Sequence, residues 1–236
     1  MKPKIGITMG DPAGIGPEII IKSLSDKSVY ERCCPIVVGD ANVMRQAIQV
    51  LNGKFEINAV SDVSDAKFTY GTIDVYDLKN FSGKVLYGKV SAEAGHAAFE
   101  SVTKVIELAM ANELDATVTA PINKESINLA GHHFSGHTEI YAHYTNTKKY
   151  AMLLADENLR VIHVTTHVSL RKACDLVKKD RIIEVVQLLD DACKQFGIEN
   201  PKIGIAGLNP HSSDNGLFGW EEEREIIPAV NQAKEM

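Results

Sequence analysis

Apolar residues along this chain fall into two kinds of segment. Short β-branched runs lie at residues 4–9 (KIGITM), 35–39 (PIVVG), 56–60, 72–76, 115–119 (DATVT), 160–165 (RVIHVT) and 202–207 (KIGIAG). Such runs, bounded by Gly, Pro, Asn and Asp, read as strands. Between them lie stretches with apolar residues three and four apart. These are EIIIKSL from residue 18, ANVMRQAIQVL from 41, a long one over 94–112, TEIYAHYTN from 138, one over 168–177 and RIIEVVQLLDDACKQ over 181–195. That spacing predicts amphipathic helices. Asp40 stands where it can cap the second helix, and Pro17 suits the first turn of the first. Strands that alternate with helices predict an α/β fold with a largely parallel sheet. There are no internal repeats and no low-complexity linker.

Composition narrows the partners. The 236 residues are 44% hydrophobic and 24% charged, with 25 basic against 31 acidic residues and a net charge of −6. A mildly acidic chain without a basic stripe is a poor match for nucleic acid or a membrane surface. No apolar run approaches the roughly 20 residues a membrane helix needs. The opening MKPKIGITMGDPAG reads as a strand and turn and lacks the apolar centre of a signal peptide, so a cytoplasmic location is expected. Cys33, Cys34, Cys174 and Cys193 form no metal-finger spacing and read as reduced structural thiols.

The candidate chemistry concentrates in one stretch. Six of the eight histidines lie within residues 131–171: His132, His133, His137, His143, His163 and His167. His167 follows the strand read at 160–165, and His211 follows the strand read at 202–207. Ligands in open α/β sheets bind at the carboxyl ends of strands. Two such imidazoles can converge on one metal, although a catalytic zinc site takes three protein ligands. Lys124, just past the strand at 115–119, is either a general acid/base or a surface lysine at a helix start. His137 and Thr138 open a helix and suit a phosphate or carboxylate. Alternatively Thr138 simply caps that helix. His96, His143 and His163 read as structural, and Glu221, Glu222 and Glu223 as charge at a helix start. The turn GDPAGIGPE at 10–18 has the free N–H groups of an anion site but lacks the glycine spacing of a dinucleotide fingerprint, so on its own it reads first as a tight βα turn.

Six segments in this order resemble the 4-hydroxythreonine-4-phosphate dehydrogenase family, which includes threonate and erythronate 4-phosphate dehydrogenases. They are GDPAGIGPE at 10–18, GKVSAEAG at 88–95, VTAPINKE at 118–125, SGHTEIYA at 135–142, TTHVSLR at 165–171 and GLNPHSSDNGLFGWEE at 207–222. The resemblance implies an isocitrate/isopropylmalate dehydrogenase-like fold: two α/β/α domains, here 1–122 and 123–236, with a cleft between them and a homodimer. It implies NAD or NADP, and a divalent metal, zinc or else magnesium, manganese or cobalt, held by His167 and His211. The third metal ligand of the family does not lie in this chain, and residues 1–122 would be completed by a segment beyond Met236. It implies substrate contacts from His137 and Thr138; Lys124 is added as a hypothetical proton-transfer residue. No cofactor-binding residue is assigned.

The implied reaction is oxidation and decarboxylation of a 4-phosphorylated 3-hydroxy acid. With 4-hydroxythreonine 4-phosphate the product is 3-amino-2-oxopropyl phosphate, on the way to pyridoxal phosphate. With D-threonate or erythronate 4-phosphate it is dihydroxyacetone phosphate. Two other classes compete: an acyltransferase on the same fold, which needs no metal histidines, and a non-catalytic fragment that binds a phosphometabolite.

Overall fold

The structure, a computed structural model, describes residues 2–236. The chain forms two compact units, the first running to Thr147 and the second spanning Lys148–Met236.

The first unit is built on a parallel sheet. Its strands are β1 (Lys4–Thr8), β2 (Cys34–Gly39), β3 (Glu56–Val60), β4 (Thr72–Asp77) and β5 (Ala116–Thr119). They lie in the order β3-β4-β2-β1-β5, every neighbouring pair parallel. The helices are α1 (Gly16–Leu24), α2 (Lys27–Arg32), α3 (Ala41–Val50), α4 (Ala92–Met110), α5 (Lys124–Leu129) and α6 (His137–Tyr144). Side chains on a strand alternate faces, and the core divides accordingly. Val37 of β2 and Ile73 and Val75 of β4 pack with Ile20, Leu24, Val43 and Met44 of α1 and α3. Ile36 and Val38 of β2 turn the other way, onto Phe99, Val102, Val105 and Ile106 of α4. Helices thus cover both faces, which is why β2 reads as an unbroken apolar run.

Local chemistry sets the element ends. Asp40 caps α3 as expected: its Oδ1 accepts from Asn42 N at 2.8 Å and Val43 N at 3.1 Å. Ser91 caps α4, accepting from Ala94 N at 3.2 Å. Where α4 crosses the start of α5 the backbones nearly touch. A Cβ on Gly95 would lie 2.0 Å from the Ser126 carbonyl oxygen, so only glycine fits.

The second unit holds β6 (Leu153–Ala155) and β7 (Arg160–Ile162), an antiparallel pair, and helices α7 (Leu170–Leu176), α8 (Lys179–Gln195) and α9 (Ile227–Ala233). A π-helical turn, Glu222–Ile226, leads into α9. The small core joins Val177, Ile182 and Ile183 to Ile226 and Ala229, with Val164, Ile205 and Leu208 against it.

Two strand expectations fail in this unit. The run at 160–165 forms a ladder only over Arg160–Ile162, and it pairs antiparallel instead of lying buried in a parallel sheet. Val164 packs against the small helical core, and the chain bends before α7. The run at 202–207 forms no strand at all. Ile205 packs beside Val186, Val230 and the helical core, but among the described residues no strand lies alongside to accept the ladder. The apolar alternation is therefore present without the hydrogen-bonded neighbour that a strand requires.

Candidate functional site

In the first unit, the turns after β1 and β5 are tied together. Asp11 N donates to the Pro121 carbonyl at 3.0 Å, and Gly14 N to the Asp11 carbonyl at 3.0 Å. The Asp11 carboxylate is buried and accepts from Ala13 N at 2.8 Å. Burial is the larger influence and raises its pKa above the ordinary carboxylate value, against the lowering effect of its hydrogen bonds. Asp11, Gly14, Gly88, Lys89 and Asn123 help to line a cleft of about 270 Å³ at this strand end. That is close to the lower bound of about 300 Å³ for small-molecule pockets. The turn read from GDPAGIGPE is thus a tight βα turn that also walls a cleft.

Three sequence-predicted residues come together beside it. Asn123 caps α5, accepting from Ser126 N at 2.9 Å, and so places Lys124 at the first position of that helix. His137 and Thr138 open α6, whose N-cap is Gly136 with no side-chain hydrogen bond. Thr138 is therefore not the cap. The Lys124 ammonium lies 4.0 Å from where a Cβ on Gly136 would stand, and Glu139 Oε2 lies 3.6 Å from the same point. The His137 ring is half-buried, and its Nε2 has no hydrogen-bond partner; Glu139 Oε2 is likewise buried and unpaired. Burial, and then the positive charge of Lys124, push the His137 pKa below its ordinary value. An ammonium and an unpaired imidazole nitrogen at a helix start form a donor set for an anionic oxygen.

The remaining histidines of this unit bond and stack among themselves. His96 Nδ1 lies 3.0 Å from His132 Nε2, and the other His96 nitrogen lies 3.4 Å from Glu100. The His132 ring stacks on Phe99 at 3.7 Å between centroids. His133 Nδ1 lies 3.1 Å from Asn128 Oδ1, and His143 stands edge-on to Phe134 and Tyr144.

His167 and His211 both lie in the second unit, and neither stands at the end of a core strand. His167 occupies an exposed bend between β7 and α7, with φ 57°. A histidine in the left-handed region is uncommon, and such conformations gather at functional sites. His211 is exposed, its ring 5.1 Å from that of Phe218 and its backbone N–H donating to Asn209 Oδ1 at 2.8 Å. Directly after it, Ser212, Ser213, Asp214 and Asn215 all have positive φ, between 46° and 65°. As donors, two exposed imidazoles suit a borderline divalent metal such as zinc. A catalytic zinc site takes three protein ligands, and no group of three or more metal-ligating side chains is found among the described residues. His163, read as a hydrogen-bonded core residue, is half-buried with its Nδ1 unpaired.

Glu222 is the residue that sequence reading missed. It is 2% exposed, and its Oε1 accepts from Leu208 N at 2.9 Å and Asn209 N at 3.2 Å. It is not helix-start charge in solvent but the anchor of the loop that carries His211. Inside a run of three glutamates nothing in the local pattern marks one of them as buried. A groove of about 650 Å³ runs between α8, residues 199–205 and α9 and holds none of the candidate residues.

Residues 31–236 match the model of the family described as pyridoxal phosphate biosynthetic protein PdxA. A protein of Clostridium botulinum named "Putative D-threonate 4-phosphate dehydrogenase" is 46% identical over 236 residues, 100% of this chain and 71% of its own length. A solved 4-hydroxythreonine-4-phosphate dehydrogenase from Klebsiella pneumoniae is 43% identical with a TM-score of 0.88, and the match covers 100% of this chain and 71% of that one. The corresponding structure from Burkholderia phymatum is 42% identical with a TM-score of 0.84, over 100% and 72%.

Proposed function

This chain belongs to the PdxA family and is an oxidoreductase, and on that footing we propose that it oxidises the 3-hydroxyl of a 4-phosphorylated 3-hydroxy acid with NAD or NADP. The observation that carries the site is the unpaired, buried His137 Nε2 beside Lys124 at the start of α6. In this reading the imidazole and Thr138 bind an anionic group of the substrate. Lys124, as its free amine, takes the hydroxyl proton and becomes the ammonium while hydride passes from the substrate carbon to the nicotinamide. The resulting β-keto acid loses CO2, its electron pair moving into the ketone, and a proton then completes the product.

His167 and His211 would hold a divalent metal, zinc or else magnesium, manganese or cobalt. When bound, the metal supplies Lewis acidity at the reacting oxygen. The cleft of about 270 Å³ lined by Asp11, Lys89 and Asn123 would take part of the dinucleotide. The proposal extends to a homodimeric, cytoplasmic enzyme of isocitrate/isopropylmalate dehydrogenase-like architecture, with domains over 1–122 and 123–236.

D-Threonate 4-phosphate is the first substrate to try, giving dihydroxyacetone phosphate, because the 46% identical relatives bear that name. The second reading is 4-hydroxythreonine 4-phosphate, giving 3-amino-2-oxopropyl phosphate, named for structures 42–43% identical. The two are to be assayed side by side by NADH formation. His167→Ala and His211→Ala should abolish turnover. His137→Ala should raise KM by roughly 10–100-fold, as expected for a charge-assisted hydrogen bond worth about 1.5–3 kcal/mol. Undiminished turnover in both metal-ligand variants would sink the reading.

A further inference from the structure

The loop after residue 206 turns through residues with left-handed backbone and exposes His211 at its tip, so something must hold it in that shape. Its internal bonds form a chain. Asn209 Oδ1 accepts from His211 N at 2.8 Å, Asn209 Nδ2 donates to the Phe218 carbonyl at 3.3 Å, and the Asn209 carbonyl accepts from Ser212 N at 3.0 Å. Phe218 N donates in turn to the Ser213 carbonyl at 3.0 Å, and the Phe218 ring lies 5.1 Å from that of His211. Every branch meets at Asn209, and the N–H of Asn209 and that of Leu208 both end on one carboxylate oxygen, Glu222 Oε1. The approach is close: a Cβ on Gly207 would lie 3.5 Å from that oxygen and 2.8 Å from Ser212 Oγ.

A buried carboxylate is costly to keep unless bonded, and Glu222 has no cation partner among the described residues. Its other oxygen, Oε2, is buried and unpaired, as is Ser213 Oγ in the same loop. An apolar side chain here would cost less but would leave two backbone N–H groups without acceptors. What the carboxylate supplies is a fixed point for residues 207–211.

We propose that Glu222 is a positioning residue: through Leu208, Asn209 and the Asn209 side chain it fixes the backbone of His211 and so presents the imidazole to a divalent metal. This rests on the reading of His211 as a ligand. Outer partners of metal ligands matter because they set the direction in which the ligand nitrogen points, and losing one weakens metal binding by roughly 10–100-fold.

The test is titration of the whole protein with cobalt(II), followed by calorimetry and by the visible spectrum of the bound ion, at a temperature where each variant is folded. Glu222→Ala should weaken cobalt binding by roughly 10–100-fold and alter the spectrum. Glu222→Gln, which keeps a carbonyl oxygen for the two N–H groups, should restore binding to near that of the native protein. Should Glu222→Ala fail to fold, Asn209→Ala cuts the same chain nearer the ring, leaves the carboxylate bonded to both backbone N–H groups, and should weaken cobalt binding in the same direction. Native affinity and spectrum in Glu222→Ala, or in Asn209→Ala if that is the variant used, overturn the proposal alone. Cobalt binding that His211→Ala leaves untouched, or no binding by the native protein, overturns the ligand reading and this proposal with it.

Discussion

Burial holds the His137 imidazole below its ordinary pKa of 6.5, and the sign of the consequence is fixed. The unfolded chain binds the proton more readily than the folded one, so this residue's contribution to stability is complete above pH 6.5. It is lost progressively as pH falls from there through the lower folded value. Thermal melts taken between about pH 7.5 and about pH 5.5 should show Tm falling, and His137→Gln should flatten that fall. Inorganic phosphate should oppose it, because an oxyanion at the ring favours the protonated form. An unchanged pH profile in His137→Gln would remove the ring from this role. The residue was legible in the sequence because SGHTEIYA places a histidine and a hydroxyl at the start of a helical pattern. Glu222 was not, because its burial depends on a loop fourteen residues earlier folding back to meet it.

Among the elements, α4 has the largest share in placing the site of the first unit. It packs under β1 and β2 through Phe99, Val102 and Val105 and receives α5 at Gly95. Gly95→Ala would set a methyl group 2.0 Å from the Ser126 carbonyl, which is backbone and cannot rotate aside. Overpacking of this kind costs about 1–3 kcal/mol, and the helix carrying Lys124 is the part that must move. The expected result is a clear fall in Tm or in urea midpoint, with turnover reduced even at temperatures where the variant is folded. A variant as stable and active as the native protein would show that α5 can shift without cost.

Helix and strand boundaries in this unit were readable because pattern and neighbour agree. The β-branched runs at 35–39 and 72–76 each have parallel partners on both sides, and the caps at Asp40 and Ser91 make the bonds their residue types suggest. In the second unit the same kind of run misled. The alternation at 202–207 records which side chains face an apolar neighbour, but it cannot record whether a strand lies alongside.

Across the whole molecule this difference becomes one of local stability. Backbone amides of β1 and β2 lie in the middle of a five-stranded sheet, whereas residues 202–207 have no ladder to protect them. Amide exchange followed by mass spectrometry should show residues 202–207 exchanging early, with β1 and β2 protected up to global unfolding. Protection of residues 202–207 comparable to that of β2 would mean that in solution the segment has a hydrogen-bonded neighbour. The broad α/β reading came directly from alternation of periods along the chain, and the family resemblance from six ordered motifs. The placement of His167 and His211 in loops depended on contacts that no local pattern encodes.

The mirror-image backbone at residues 212–215 has a consequence for which substitutions the chain can accept. Each of these four L-residues occupies the region that costs roughly 1–2 kcal/mol for ordinary side chains. Asparagine and aspartate can soften that cost with their own side chains, and glycine escapes it. A valine or isoleucine cannot, however well its surface might suit the surroundings. The vocabulary open to these positions is therefore written by handedness rather than by contact. Ser212, Asp214 and Asn215, though exposed, are thus constrained by their backbone more than by what their side chains meet.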